Sequence, residues 1–241
     1  MQKPFLSIII PTLNEEGYIL KTLDNIHNML SGNIGYEIIV VDAGSTDQTV
    51  SLAQTNDIRI EVRPEFKGCK YKSLNYGAEL SKGEALFFLD ADSQLPVQFD
   101  QFIQNALDTS QYVGGAFEYK SENRSISFQV IELINRLRYR VDGLYFGDQG
   151  IFCKRQSFFE VGGYPDEPIM EASFLCRRLK KVGKLKLIKE PLVTSTRRFE
   201  TQGKWRVFFN DMIIWMRFII GISVEEYGAE YWKLNDVKRV E

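Results

Sequence analysis

The sequence predicts an α/β fold: a mixed, mainly parallel sheet with helices on both faces. Three observations carry that prediction. Strand-like and helix-like segments alternate from residue 5 to residue 90, a βαβαβαβ rhythm that builds parallel sheets. The strand-like runs are short and apolar without polar alternation, as in strands covered on both faces. The first, second and fourth runs each stop abruptly at a polar cluster, and right-handed crossovers place such strand ends along one edge.

In order, residues 5–10 form the first strand. Residues 15–30 place Ile19, Leu20, Leu23, Ile26 and Leu30 at helical spacing. Residues 37–41 are a second buried strand, 47–54 a short helix, 58–62 a third strand, 71–80 a helix and 85–89 the fourth strand. The second half reads as a mixed extension of the same sheet. It offers a strand at 112–119 kinked at Gly114-Gly115, a helix rich in basic residues at 125–140, and a glycine-bounded strand at 147–154. A helix at 170–182 and short strands at 185–188 and 192–195 follow. Residues 205–220 set Trp205, Phe208, Phe209, Met212, Met216, Ile219 and Ile220 on one helical stripe. The tail from Glu225 is charged and expected to be only partly ordered. No repeat or long linker interrupts the chain, so residues 1–241 are expected to form a single domain in three parts: 1–110, 111–200 and 201–241.

Composition excludes several classes. The chain has 241 residues, 44% hydrophobic and 26% charged, with a net charge of −2. No global field favours nucleic acid. Three dispersed cysteines, Cys69, Cys153 and Cys176, exclude a disulfide framework and a four-thiolate zinc site, and suit a reducing cytosol. The one histidine, His27, sits in a helical pattern, which argues against a Ser-His-Asp triad. Residues 1–4 lead straight into a strand without a cleavable leader, so a cytoplasmic location is expected. The longest apolar stretch, 207–224, is broken by Asn210, Asp211 and Arg217 and makes a poor spanning helix.

The most informative segment is the fourth strand and its exit, Asp90-Ala91-Asp92. Acids at i and i+2 on extended chain point to one side. They leave the sheet where open α/β sheets bind ligands. Two convergent carboxylates suit Mg²⁺ or Mn²⁺ completed by phosphate oxygens and water; the alternative is a solvated strand end with an Asp turn. The first strand exits into Pro11-Thr12-Leu13-Asn14-Glu15, the second into Asp42-Ala43-Gly44-Ser45-Thr46-Asp47. Thr12 with Glu15, and Ser45 with Gln48, have capping-box spacing. Three polar exits on one edge build one polar crevice. No G-x-G-x-x-G or P-loop is present, so phosphate would be held by a metal on the paired acids and by Lys70 and Lys72.

These residues carry a resemblance. Residues Ser7 to Glu15, Val40 to Asp47 and Asp90-Ala91-Asp92, in this order and spacing, resemble family 2 glycosyltransferases of the GT-A (nucleotide-diphospho-sugar transferase) fold. It continues through Gly147-Asp148-Gln149-Gly150, Gly162-Gly163-Tyr164, Met170-Glu171 and Thr194 to Arg198, and covers roughly residues 5–220. The chain is most similar to a short bacterial subgroup often found beside radical-SAM and selenium-related genes. The resemblance implies that 1–110 binds the nucleotide sugar, that 111–200 meets the acceptor, and that 201–241 is an amphipathic helix and tail. Pro11, Leu13 and Glu15 would line the base and ribose pocket, and Asp42 would bond the base, typically uracil. Lys72 would meet the donor phosphates. Asp90, with Ala91 beside it, would contact the ribose or metal. Asp92 would be the main ligand to Mn²⁺ or Mg²⁺. Gly147, Asp148 and Gln149 would border sugar and acceptor, and Arg197 and Arg198 would close over the diphosphate.

Two departures bear on chemistry. The subgroup usually carries His-Ala-Asp where this chain has Asp90-Ala91-Asp92. The family usually has Glu-Asp at the start of the helix near residue 171, its Asp the expected base; here the pair is Glu171-Ala172. Alanine cannot take a proton, which leaves Glu171 or Asp148. The implied function is inverting, metal-dependent transfer of a sugar, typically UDP-linked, to an acceptor hydroxyl on a lipid or small molecule. The alternatives are a nucleotide-sugar-binding pseudoenzyme marked by Ala172, and a sugar-nucleotide pyrophosphorylase. The latter usually needs a Gly- and base-rich loop after the first strand, and no glycine precedes Gly17 here. The stripe at 205–220 is either packed on the sheet or a second subunit, or rests peripherally on the inner face of a membrane.

Overall fold

The structure is a computed structural model and describes residues 3–55 and 57–228; most of the charged tail, from residue 229 on, lies outside the described residues. One eight-stranded sheet runs through both halves of the chain. Its strands are β1 (Leu6–Thr12), β2 (Tyr36–Asp42), β3 (Ile58–Val62), β4 (Ala85–Phe88), β5 (Ser93–Gln94), β6 (Tyr112–Ser121), β7 (Ile151–Lys154) and β8 (Lys184–Thr194). The helices are α1 (Ile19–Met29), α2 (Thr49–Ala53), α3 (Lys70–Leu80), α4 (Phe99–Asp108), α5 (Ile126–Asp142), α6 (Arg155–Glu160), α7 (Glu171–Leu179), α8 (Arg197–Gln202) and α9 (Lys204–Ile219). The order across the sheet is β3-β2-β1-β4-β7-β6-β8-β5. Strands β1 to β4 pair in parallel, as the alternating pattern predicts. Strand β7 is antiparallel to both β4 and β6, which joins the parallel half to the mixed half.

Alternate residues of β1 feed two cores. Ile8 and Ile10 pack with Phe87, Phe99 and Ile103 on one face. Ile9 packs with Leu74, Phe88 and Phe158 on the other. Burial on both faces explains the unbroken apolar runs.

Several elements differ from the sequence expectation. Helix α4 has no counterpart there, although Phe99, Ile103, Ala106 and Leu107 share its buried face. Residues 147–154 are not one strand: Gly147–Gln149 is a 3-10 turn before β7, and Gly150, at φ 62°, separates them. The two strands of 185–195 are one strand, β8, whose register against β6 skips from Ile188 to Pro191. Proline lacks the ladder N–H and is accommodated at such a bulge. Gly114 and Gly115 lie within β6, where a Cβ would strike the carbonyl oxygens of Phe152 and Lys186; the pair permits close strand packing. Neither capping box forms. Thr12 and Ser45 both donate to Asp42, and α1 starts only at Ile19.

The C-terminal stripe also resolves differently. Helix α9 buries Val207, Phe208, Ile214 and Phe218, whereas Trp205, Phe209, Met216, Ile219 and the following Ile220 are exposed. Among the described residues no helix is long and apolar enough to cross a membrane.

Candidate functional site

The C-terminal ends of β1, β2 and β4 open into one cleft of about 360 Å³. Pro11, Leu13 and Glu15 line it from β1, Asp90, Ala91 and Asp92 from the exit of β4, and Gly147 and Asp148 from the 3-10 turn. Glu171, Arg197 and Arg198 also line it. The sequence expectation therefore gathers in one place, with three exceptions.

Asp42 is fully buried beneath the cleft. Its Oδ1 accepts the backbone N–H groups of Gly44 (2.9 Å) and Ser45 (2.7 Å). Its Oδ2 accepts the hydroxyls of Thr12 (2.9 Å) and Ser45 (2.5 Å). It pins the first two strand exits together and is not a lining residue. Lys72 points outward over the Tyr71 ring; Lys70, one helical half-turn away, is the base that enters the cleft. Gln149 is buried, donating to the Phe117 carbonyl and accepting the Phe146 N–H, both at 3.1 Å. It fastens the turn that presents Gly147 and Asp148.

The paired acids are each met by a base. Lys70 Nζ lies 2.5 Å from Asp90 Oδ1. Arg197 forks onto Glu15 at 2.9 and 3.1 Å and reaches Asp92 at 3.6 Å. The Thr22 hydroxyl donates to the Ala91 carbonyl (2.6 Å) and so fixes the loop between the two acids. Burial, together with the negative charges of Asp90 and Glu15, pushes the Asp92 carboxyl up to about 7. Such crowding is relieved by a cation. Asp90 and Asp92 thus suit a hard divalent ion. They do not form a complete cage: among the described residues no three His, Cys, Asp or Glu side chains converge as a ready metal site.

Two further carboxyls flank the acids. Asp148 is pushed up to about 6 by burial and by Asp90, and its Oδ1 is sealed from solvent without a hydrogen-bond partner. Glu171 opens α7; Met170 before it takes φ 62°, which turns the chain into the helix. Burial raises the Glu171 carboxyl, opposed by Lys70 at 4.0 Å. A Cβ at Gly147 would stand 3.8 Å from Glu171 Oε1 and 4.0 Å from the Ala172 methyl, so this glycine leaves a gap beside both residues. Sequence reasoning missed Asp211, which lines the cleft and pairs with Arg198 at 2.7 Å; no motif marks it.

A cleft at strand C-termini, lined by the paired acids and by Lys70, Arg197 and Arg198 among apolar side chains, lies where open α/β sheets bind ligands. A sequence profile described as glycosyl transferase family 2 matches residues 7–162, and the chain belongs to that family. It is 35% identical over 99 residues to a PGL/p-HBAD biosynthesis glycosyltransferase of Mycobacterium bovis, covering 39% of this chain and 38% of the relative. It is 28% identical over 192 residues to the beta-monoglucosyldiacylglycerol synthase of a Nostoc species, covering 73% of this chain and 41% of the relative. The chain thus spans about two-fifths of the length of these relatives. Glucosyl-3-phosphoglycerate synthase of Mycobacterium tuberculosis, solved with Mn²⁺, UDP and glucosyl-3-phosphoglycerate, superposes with a TM-score of 0.64 at 19% identity. That match covers 91% of this chain and 81% of the other, and the shared fold is GT-A.

Proposed function

We propose that the protein transfers a sugar, with inversion, from a UDP-linked donor to an acceptor hydroxyl. The observation that carries this reading is the convergence of Asp90 and Asp92 with Pro11, Leu13 and Glu15 in one cleft. In it, burial and then the crowded negative charge raise the Asp92 carboxyl. The Mn²⁺ and UDP of the glucosyl-3-phosphoglycerate synthase complex support the same reading. Asp92, with Asp90, would hold Mn²⁺ or Mg²⁺, which would supply charge neutralisation to the departing diphosphate. Lys70 and Arg197 stand within reach of the same acids and would share the diphosphate charge. Residues 1–110 would bind the donor and 111–200 most of the acceptor.

Glu171 is the proposed base. It faces the gap at Gly147, and its raised carboxyl takes up a proton more readily than a solvated one. The hydroxyl oxygen bonds to the anomeric carbon as the bond to the diphosphate breaks, and the hydroxyl proton passes to Glu171. The acceptor is proposed to be a lipid or a small molecule; one of the relatives is named a beta-monoglucosyldiacylglycerol synthase. The second reading, a binding protein without transfer, is favoured by the Ala172 methyl at the wall of the cleft. The two are separated by incubating the protein with UDP-sugars and Mn²⁺ and measuring released UDP. Turnover that E171Q abolishes supports transfer; tight UDP binding without release supports the second reading.

A further inference from the structure

Helices α5 and α9 lie side by side and run the same way. Lys204 Nζ donates to Ser127 Oγ at one end, and Trp215 Nε1 donates to Asp142 Oδ2 at the other, each at 2.8 Å. Between them Phe208 packs on Phe128 and Ile131. Their inner faces are thus accounted for, and their outer faces are apolar too. On α5 the outer stripe is Ile126, Val130, Leu133, Leu137 and Val141; on α9 it is Trp205, Phe209, Ile213 and Met216, continued by Ile220 at its C-cap. Both follow helical spacing opposite the buried side. Of the seventeen large apolar side chains exposed among the described residues, ten lie on these two helices, far more than scattered surface apolars would place there.

Charge identifies the occupant. Neither helix shows an acid on its outer side. Glu132 is buried against Ser121 and Arg124, Asp142 caps Leu144 and takes the Trp215 N–H, and Asp211 turns inward to Arg198. Arg140 and Arg206 are exposed beside the stripes. In a chain of net charge −2, this face is apolar and basic. A second copy meeting it across a two-fold axis would bring its arginines together with no acid on the face to pair them. Apolar stripes flanked by arginine and a tryptophan match the interfacial layer of an anionic bilayer.

We propose that the joined outer face of α5 and α9 seats the protein on an anionic lipid bilayer. Helix α9 also lines the cleft from its inner side, through Asp211 and Ile214. A seated protein therefore holds its cleft about one helix diameter, roughly 10 Å, from the lipid. The docking does not depend on sugar transfer and is tested without it. The whole 241-residue chain is sedimented with vesicles of phosphatidylcholine alone and of phosphatidylcholine with about one-third phosphatidylglycerol. Association is expected with the mixed vesicles, several-fold weaker with phosphatidylcholine alone and weakened by salt. L137Q and F209Q, at positions exposed here, are each expected to weaken it about tenfold while UDP binding and melting temperature stay unchanged. Absence of association, or association indifferent to both variants, overturns the proposal. Self-association of the free protein that the same variants abolish would give the face to a second copy and overturn it as well.

Discussion

Replacing Asp92 by asparagine should stabilise the ligand-free protein at high pH while abolishing its stabilisation by Mn²⁺ with UDP. The carboxyl is displaced from an ordinary 3.8 to about 7, first by burial and then by Asp90 and Glu15. A carboxyl raised in the folded state lends stability that is fully present below its unfolded pKa and lost as pH rises through the folded value. At about 1.36 kcal/mol per pH unit, the displacement sets a ceiling of ~4 kcal/mol on that loss. Relaxation around the charge and the nearby Arg197 reduce the realised part, and ~1–2 kcal/mol is expected. The introduced amide is neutral and can donate to neighbouring carboxylates, and Arg197 keeps its fork on Glu15. Urea denaturation at about pH 5 and about pH 8 should therefore show the stability gap between D92N and the parent widening by ~1–2 kcal/mol toward high pH. Adding Mn²⁺ with UDP should raise the melting temperature of the parent only, because ligands stabilise the state they bind. A D92N protein less stable than the parent at pH 8, or one still stabilised by Mn²⁺ with UDP, would refute the reasoning.

Three other predictions concern neighbouring residues. E171Q should lower kcat at least ~100-fold with UDP affinity unchanged within about twofold; if D148N alone has that effect, the base is Asp148, whose carboxyl lies at about 6. K70A should weaken UDP binding about tenfold by removing the ammonium at Asp90, whereas K72A, on the outer side of α3, should change it less than twofold; calorimetry ranks the two. D42A should cost ~2–4 kcal/mol of stability by stranding the buried Thr12 hydroxyl and two half-buried loop donors, read as a lowered denaturation midpoint with an unchanged slope; if D42A loses UDP affinity at unchanged stability, Asp42 meets the base directly.

The parallel half was legible because burial on both faces leaves a plain mark, a short apolar run ending in polar residues. The paired acids were legible from their i, i+2 spacing at a strand exit, and Glu15 and Arg197 only through the family resemblance; the cleft gathers all four. The remainder depends on facts that one-dimensional pattern does not carry. Helix α4 shows helical spacing in Phe99, Ile103 and Leu107, but it follows closely on the motif segment, with no capping side chain to mark its start. Strand β8 reads as two because Pro191 sits at a bulge, and only the partner strand reveals the continuity. Lys70 and Lys72 differ by about 200° around one helix, so which of them enters the cleft depends on the phase of α3. Asp42 looks like a ligand contact in sequence. In the structure its four accepted hydrogen bonds bind the two loops together. The stripe on α9 mixed two faces, since the helix carries apolar residues on both, and its buried side is set by α5 through Phe208 and by α7 through Phe218.

The most direct test of the account is a calorimetric titration of UDP into the protein with Mn²⁺ and again with EDTA, repeated on D92A. The account predicts binding to the parent that EDTA removes and that D92A lacks in either condition. Binding of equal strength with and without metal, or retained by D92A, would contradict the assignment of Asp90 and Asp92 to a cation-assisted nucleotide-sugar site.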